Sequence, residues 1–164
     1  MLLSNISSEN DLRDWLKDLS GEMKGVTFQW VEPGLYGSTT GAADVIMKLD
    51  HQKVDVELKY LYKTAKGIKY TLRPAQRRYH RMGMFRGSRS ALLFVENGTK
   101  ALCLVRGDHI SLRDYASDAA SGCKAGDDRK LVILGERDTD KIKFLKFLLF
   151  ESKNYWREGD DATG

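Results

Sequence analysis

The sequence predicts an α/β protein, with helices and strands in the order α-β-β-β-α-β and a central mixed β-sheet flanked by helices. Three observations carry this. Residues 8–19 place Leu12, Trp15, Leu16 and Leu19 on one stripe at helical spacing, behind a Ser7 or Ser8 cap. Residues 42–49 and 53–61 are apolar-rich and alternate with period two, joined by the polar turn Asp50-His51-Gln52. Pro74 then starts a helix that runs to about Phe85 and ends at Gly87, and the next strand follows at 91–96.

Taken in order, Gly21 closes the first helix and 26–31 reads as the first strand. Glu32 to Gly41 is a Gly-rich loop with hydroxyls at Ser38, Thr39 and Thr40, and it delivers the chain to Asp44. Residues 62–70 read as a basic connection. On the Pro74 helix, Ala75, Tyr79, Met82 and Phe85 form the expected buried stripe, while Gln76, His80 and Gly83 share a neighbouring face. Asn97-Gly98, between apolar runs 91–96 and 100–105, is a strong two-residue hairpin signal. Further on come a short helix at 111–120, a loop at 121–128, a strand at 131–134 and a helix at 138–150. That last helix is apolar nearly all round, which suits a packing helix or a dimer interface. One domain over 1–157 and a disordered tail at 158–164 complete the expectation.

Composition limits the function classes. The 164 residues can bury a core without staples, and 41% hydrophobic with 30% charged residues describes a soluble globular chain. No run approaches the roughly 18 apolar residues of a membrane span, so a membrane partner is not expected. Cys103 and Cys123 form no framework or metal spacing and read as reduced thiols, with the cytoplasm as the expected compartment. A net charge of +4, with Arg73, Arg77, Arg78, Arg81, Arg86 and Arg89 close together and Lys63 just before them, points to a polyanion.

The chemistry centres on Gly41 to Lys59. In the second run Val54, Val56, Leu58 and Tyr60 face one way, and Asp55, Glu57 and Lys59 the other, a charged face opposite a core face. A two-residue loop at Asp50-His51 pairs Leu49 with Gln52 and sets Asp44 opposite Glu57. Other even loops set Asp44 opposite Lys59, and a three-residue loop turns it to the other face. Two carboxylates on adjacent strands can hold a hard cation such as Mg²⁺, and a nearby amine can orient water or stabilise a phosphate. The plainer reading is a surface of cross-strand ion pairs worth well under about 1 kcal/mol. The Gly-rich approach to Asp44 and the basic helix after Lys59 favour a site.

The order Glu32…Gly41-Ala42-Ala43-Asp44…Glu57-Leu58-Lys59…Arg73-Pro74-Ala75-Gln76 resembles the PD-(D/E)XK nuclease superfamily, and within it the VRR-NUC and phage Holliday-junction-resolvase-like branch. Ala43 stands where that pattern has proline. The resemblance spans about 29–105 and implies a restriction-endonuclease-like core. By it, Asp44 and Glu57 are metal carboxylates, Lys59 the catalytic lysine, and Gln76 the glutamine facing the site. Glu32 is the upstream acid that completes catalysis and metal binding, with Glu9 on the first helix as the alternative. Arg73, Arg77, Arg78, Arg81 and Lys63 would contact nucleic acid. The implied activity is Mg²⁺-dependent endonucleolytic hydrolysis of DNA, with Mn²⁺ substituting, on branched or junction-containing DNA. Symmetric cutting would need a homodimer, and a phage origin would place the protein in the host cytoplasm. A non-catalytic nucleic-acid-binding module on the same fold, and a dimeric interaction domain, are the competing readings. His51 reads as a turn residue, His80 as a candidate phosphate contact, and Tyr79 as core.

Overall fold

The computed structural model describes residues 1–32, 42–110, 115–116, 131–133 and 137–157. Helix α1 (Glu9–Leu19) is capped by Ser8, whose hydroxyl accepts from the Asp11 N–H at 3.1 Å. It leads to strands β1 (Thr27–Trp30), β2 (Val45–Leu49), β3 (Gln52–Thr64) and β4 (Gly67–Lys69). Helix α2 (Pro74–Phe85) crosses over to β5 (Arg89–Glu96), and β6 (Leu102–Arg106), β7 (Tyr115–Ala116) and β8 (Leu131–Ile133) follow. The chain ends in α3 (Asp138–Lys146), a π-helical turn at Phe147–Glu151, and α4 (Lys153–Trp156).

The sheet order is β1-β2-β3-β5-β6-β8, with β4 paired to β3 and β7 to β4. Strands β3 and β5 run parallel through the α2 crossover, and the other pairings are antiparallel. This is the mixed, helix-flanked α/β sheet expected. One face carries Val54, Val56, Leu58 and Tyr60 of β3 and packs on Leu12, Trp15 and Leu16 of α1 and Ile142, Leu145 and Leu149 from the C-terminal helices. The opposite face gathers Leu61, Leu92, Phe94, Tyr70 and Ile110.

Parity along β3 is as expected, but its charged face is not at solvent. Asp55, Glu57 and Lys59 are 7%, 0% and 8% exposed. A strand paired on both sides and covered by a helix loses the water that an edge hairpin would keep. Helix α2 also turns differently from its apolar stripe. It buries Gln76, His80 and Met84, while Met82 and Phe85 stand 40% and 68% exposed. The sheet face beneath it carries Glu57, so a polar stripe with hydrogen-bond donors is the one that fits.

Other differences are local. Residues 62–64 extend β3 and 67–69 return as β4, where a connection was expected. The Asn97-Gly98 hairpin has a four-residue loop. Val95 pairs with Leu102, the Glu96 N–H donates to the Ala101 carbonyl, and Lys100 takes the positive φ of 57°. Glu96 causes this, because its carboxylate accepts from the backbone N–H groups of Gly98 and Thr99 at 2.8 Å each. Tyr115–Ala116 pairs with β4 inside the segment expected to be helical, and the rest of 111–130, with Cys123, lies outside the described residues. The C-terminal helix passes from α to π geometry at Phe147 and leaves only Phe144 and Phe147 of its apolar residues at the surface, stacked at 6.1 Å. Among the described residues no helix is long and apolar enough to cross a membrane.

Candidate active site

The β2–β3 register decides the site. Leu49 pairs with Gln52 and Val45 with Val56 across the two-residue turn Asp50-His51, with Asp50 at φ 53°. Continued one residue beyond β2, that register sets Asp44 opposite Glu57. Asp44 is held there from three sides. Its carbonyl accepts from the Val31 N–H at 2.9 Å, Oδ2 accepts from the Leu58 N–H at 2.8 Å, and Oδ1 accepts from Arg13 Nη2 at 3.2 Å.

Glu57 is fully buried, yet each of its oxygens has a donor. Oε1 accepts from Gln76 Nε2 at 2.7 Å and lies 3.3 Å from Lys59 Nζ, and Oε2 lies 3.3 Å from His80 Nε2. His80 is anchored in turn by Ser90 through Nδ1. Spacing of i, i+4 on α2 brings Gln76 and His80 to one carboxylate. Gln76 Oε1 also accepts from the Arg73 N–H at 3.0 Å, the reach-back bond of a capping box. The Pro74 start of α2 therefore fixes the side chain that orients Glu57.

Lys59 bridges Glu57 and Glu9, whose Oε1 is also 3.3 Å away. Burial works against its charge, but the carboxylates of Glu57, Glu9 and Asp44 outweigh it and hold the amine above its ordinary value. Lys59 is thus a cation at neutral pH. Asp44 moves the other way: burial, reinforced by the charge of Glu57, pushes its carboxyl up to about 6, against the opposing pull of Leu58, Lys59 and Arg13. Two repelling carboxylates in a poorly solvated place form a donor set that a hard cation would relieve. Among the described residues no three His, Cys, Asp or Glu side chains gather into a ready-made cage. A cation here would be held by Asp44 and Glu57 and would complete its shell with water, backbone oxygen or phosphate, as Mg²⁺ does.

Asp44, Glu57, Lys59 and Gln76 are therefore brought together. Glu32 is exposed after β1, and among the described residues no hydrogen bond or ion pair joins it to the cluster; Glu9 is the acid that reaches Lys59. Ser38 and Thr39 lie outside the described residues. Of the basic residues, Arg81 donates to the backbone carbonyls of Asp108 and Ile110 at 3.2 and 2.8 Å, a scaffold contact. Arg73, just before α2, and Arg78 on it are exposed, Arg77 is half-buried, and Lys63 is exposed near the far end of β3. Arg13 and Ser90 had no distinguishing signal in the sequence; only the β2–β3 register and the α2 packing reveal them. Tyr79 is half-buried and donates to Asp55 Oδ2 at 2.7 Å.

No protein-family model and no curated protein matches the chain. Among solved structures it is similar to Archaeoglobus fulgidus Hjc, a Holliday junction resolvase from an archaeal hyperthermophile. The identity is 14% and the TM-score 0.44, over 63% of this chain and 80% of that one.

Proposed function

We propose that this chain is a divalent-metal-dependent DNA endonuclease of the PD-(D/E)XK kind. The observation that supports this most directly is the Leu49–Gln52 register, which sets Asp44 against Glu57 with Lys59 at 3.3 Å from Glu57. A surface ion-pair ladder does not need a fully buried glutamate clamped by Gln76, His80 and Lys59. Asp44 and Glu57 would hold Mg²⁺ or Mn²⁺, which when bound lowers the pKa of water and neutralises phosphodiester charge. Lys59, being charged, serves as a hydrogen-bond donor to phosphate oxygen rather than as a base. Gln76 and His80 keep the Glu57 carboxylate in one orientation, and Arg13 does the same for Asp44. Glu9, through Lys59, takes the place of the upstream acid. Arg73, Arg77, Arg78 and Lys63 provide contacts to the DNA backbone. Branched DNA is the substrate that the superfamily resemblance suggests, with a homodimer for paired cuts.

The test is a panel of four-way junction, flap, single-stranded and duplex DNAs incubated with Mg²⁺ or Mn²⁺. Cleavage of at least one substrate, dependent on the cation and lost in Asp44→Ala, is expected. Cation-independent binding with no cleavage of any substrate would leave a non-catalytic binding module.

A further inference from the structure

The stripe of α2 that looks like core in sequence meets the sheet through the Tyr79–Asp55 hydrogen bond and leaves Met82 and Phe85 exposed. Tyr79 and Met82 wall a groove of about 460 Å³ between α2 and the start of β3, within the size range of small-ligand pockets. Asp55 lines it, 7% exposed. Its Oδ2 accepts from the Tyr79 hydroxyl, but its Oδ1 is buried and accepts no hydrogen bond. The nearest cation to Oδ1 is the Lys53 amine at 3.5 Å, on a side chain that is 54% exposed. Arg78 and Arg86, both exposed, complete the rim.

We propose that this groove takes one unstacked nucleotide of a DNA strand and that Asp55 accepts a hydrogen bond from the exocyclic amine of its base. The proposal rests on the nuclease reading for the polymer it names. Each part of the groove matches a part of that ligand. The Tyr79 ring and Met82 offer apolar surface to a base face. Lys53, Arg78 and Arg86 suit the flanking phosphates. Asp55 Oδ1 has only its ion pair with Lys53, whose exposed amine can swing to a phosphate and leave the oxygen to the amino group of cytosine, a donor that aspartate accepts from. Thymine has no such amine and sets its single ring N–H between two carbonyls that a carboxylate repels. A bare anion or an acidic peptide would meet the same repulsion from Asp55. On β3, Asp55 sits two residues before Glu57 on the same face, about 7 Å along the strand, so a nucleotide seated here adjoins the proposed site of cleavage.

The experiment is fluorescence anisotropy with twelve-residue oligodeoxycytidylate and oligothymidylate, in low salt with EDTA so that no cleavage occurs. The wild-type protein is expected to hold the cytosine strand roughly tenfold more tightly, the size of one hydrogen bond to a charged group. Asp55→Asn keeps an oxygen for Tyr79 but presents N–H donors, so the preference should vanish or invert toward thymine. Arg78→Ala and Arg86→Ala should weaken both strands equally and reduce the salt dependence. Met82→Glu, at an exposed position, should weaken both strands even if Asp55→Asn folds poorly by circular dichroism. Equal affinity for the two strands, an unchanged preference in Asp55→Asn, or no binding to either would overturn the proposal. Loss of cleavage with the preference intact would count against the nuclease reading alone, and cleavage without the preference against the groove alone.

Discussion

Asp44 offers a measurement that needs no substrate. Its carboxyl stands near 6 in the fold against an ordinary 3.8, so folding favours its protonated form. The associated stability is fully present below pH 3.8 and is lost as the pH rises through about 6. That displacement corresponds to on the order of 3 kcal/mol. With 26% of the side chain open to solvent, screening brings the expected effect to about 2 kcal/mol. Asp44→Asn removes the titration while leaving an oxygen for the Leu58 N–H. In EDTA, the stability of the variant relative to wild type should therefore rise between pH 4 and 8, by about 4–8 °C in Tm for a chain of this size. Millimolar Mg²⁺ or Mn²⁺ at pH 7.5 should recover the wild-type loss and do little for the variant. Cation affinity should also weaken about tenfold per pH unit below 6, as protons compete for Asp44. Thermal unfolding across pH, followed by circular dichroism, is the assay. A difference curve that stays flat from pH 4 to 8 would refute the reasoning, because Asp44 would then be neither strained nor awaiting a cation.

Other substitutions probe the supports of the site. Lys59→Met removes the cation between Glu57 and Glu9 and should destabilise by about 3–5 kcal/mol in urea unfolding, as breaking a buried ion pair does. Gln76→Ala deletes both the helix-start bond and the Glu57 clamp, with an expected loss of about 1–3 kcal/mol in the same assay. Gln76→Glu should cost more, since it sets a second carboxylate against Glu57. At Gly107 an added Cβ would lie 2.7 Å from the His80 carbonyl and 2.9 Å from that of Ser90. Gly107→Ala should therefore cost about 1–3 kcal/mol by forcing α2 away from β5, and calorimetry would detect it.

The β2–β3 hairpin was legible because its two runs share period two and the short polar turn admits few registers. The facing of α2 was not. Stripe arguments assume an apolar partner, and here the partner is a buried glutamate that selects Gln76 and His80 over Met82 and Phe85. The same limit hid the loop at Asn97-Gly98, where Glu96 captures two backbone N–H groups and outweighs the dipeptide's own preference. Among the acids, chain position favoured Glu32, whereas α1 brings Glu9 to Lys59 across 50 residues. Charge counting could not separate Arg81 and the buried Arg106, which brace backbone carbonyls, from arginines that face solvent. Such a division depends on which carbonyls the fold leaves without partners.

The double use of Gln76 has a consequence for observing the protein at work. Its oxygen holds the Arg73 amide and its nitrogen holds Glu57, so the two ends of one side chain report on each other. If a ligand draws Glu57 aside, the planar amide must turn, and the Arg73 amide proton loses part of its protection. The backbone resonance of Arg73 is therefore a built-in gauge of the buried carboxylate. Titrated with Mg²⁺ in an NMR tube, it would record a rotation of Glu57 through its shift and its exchange with solvent.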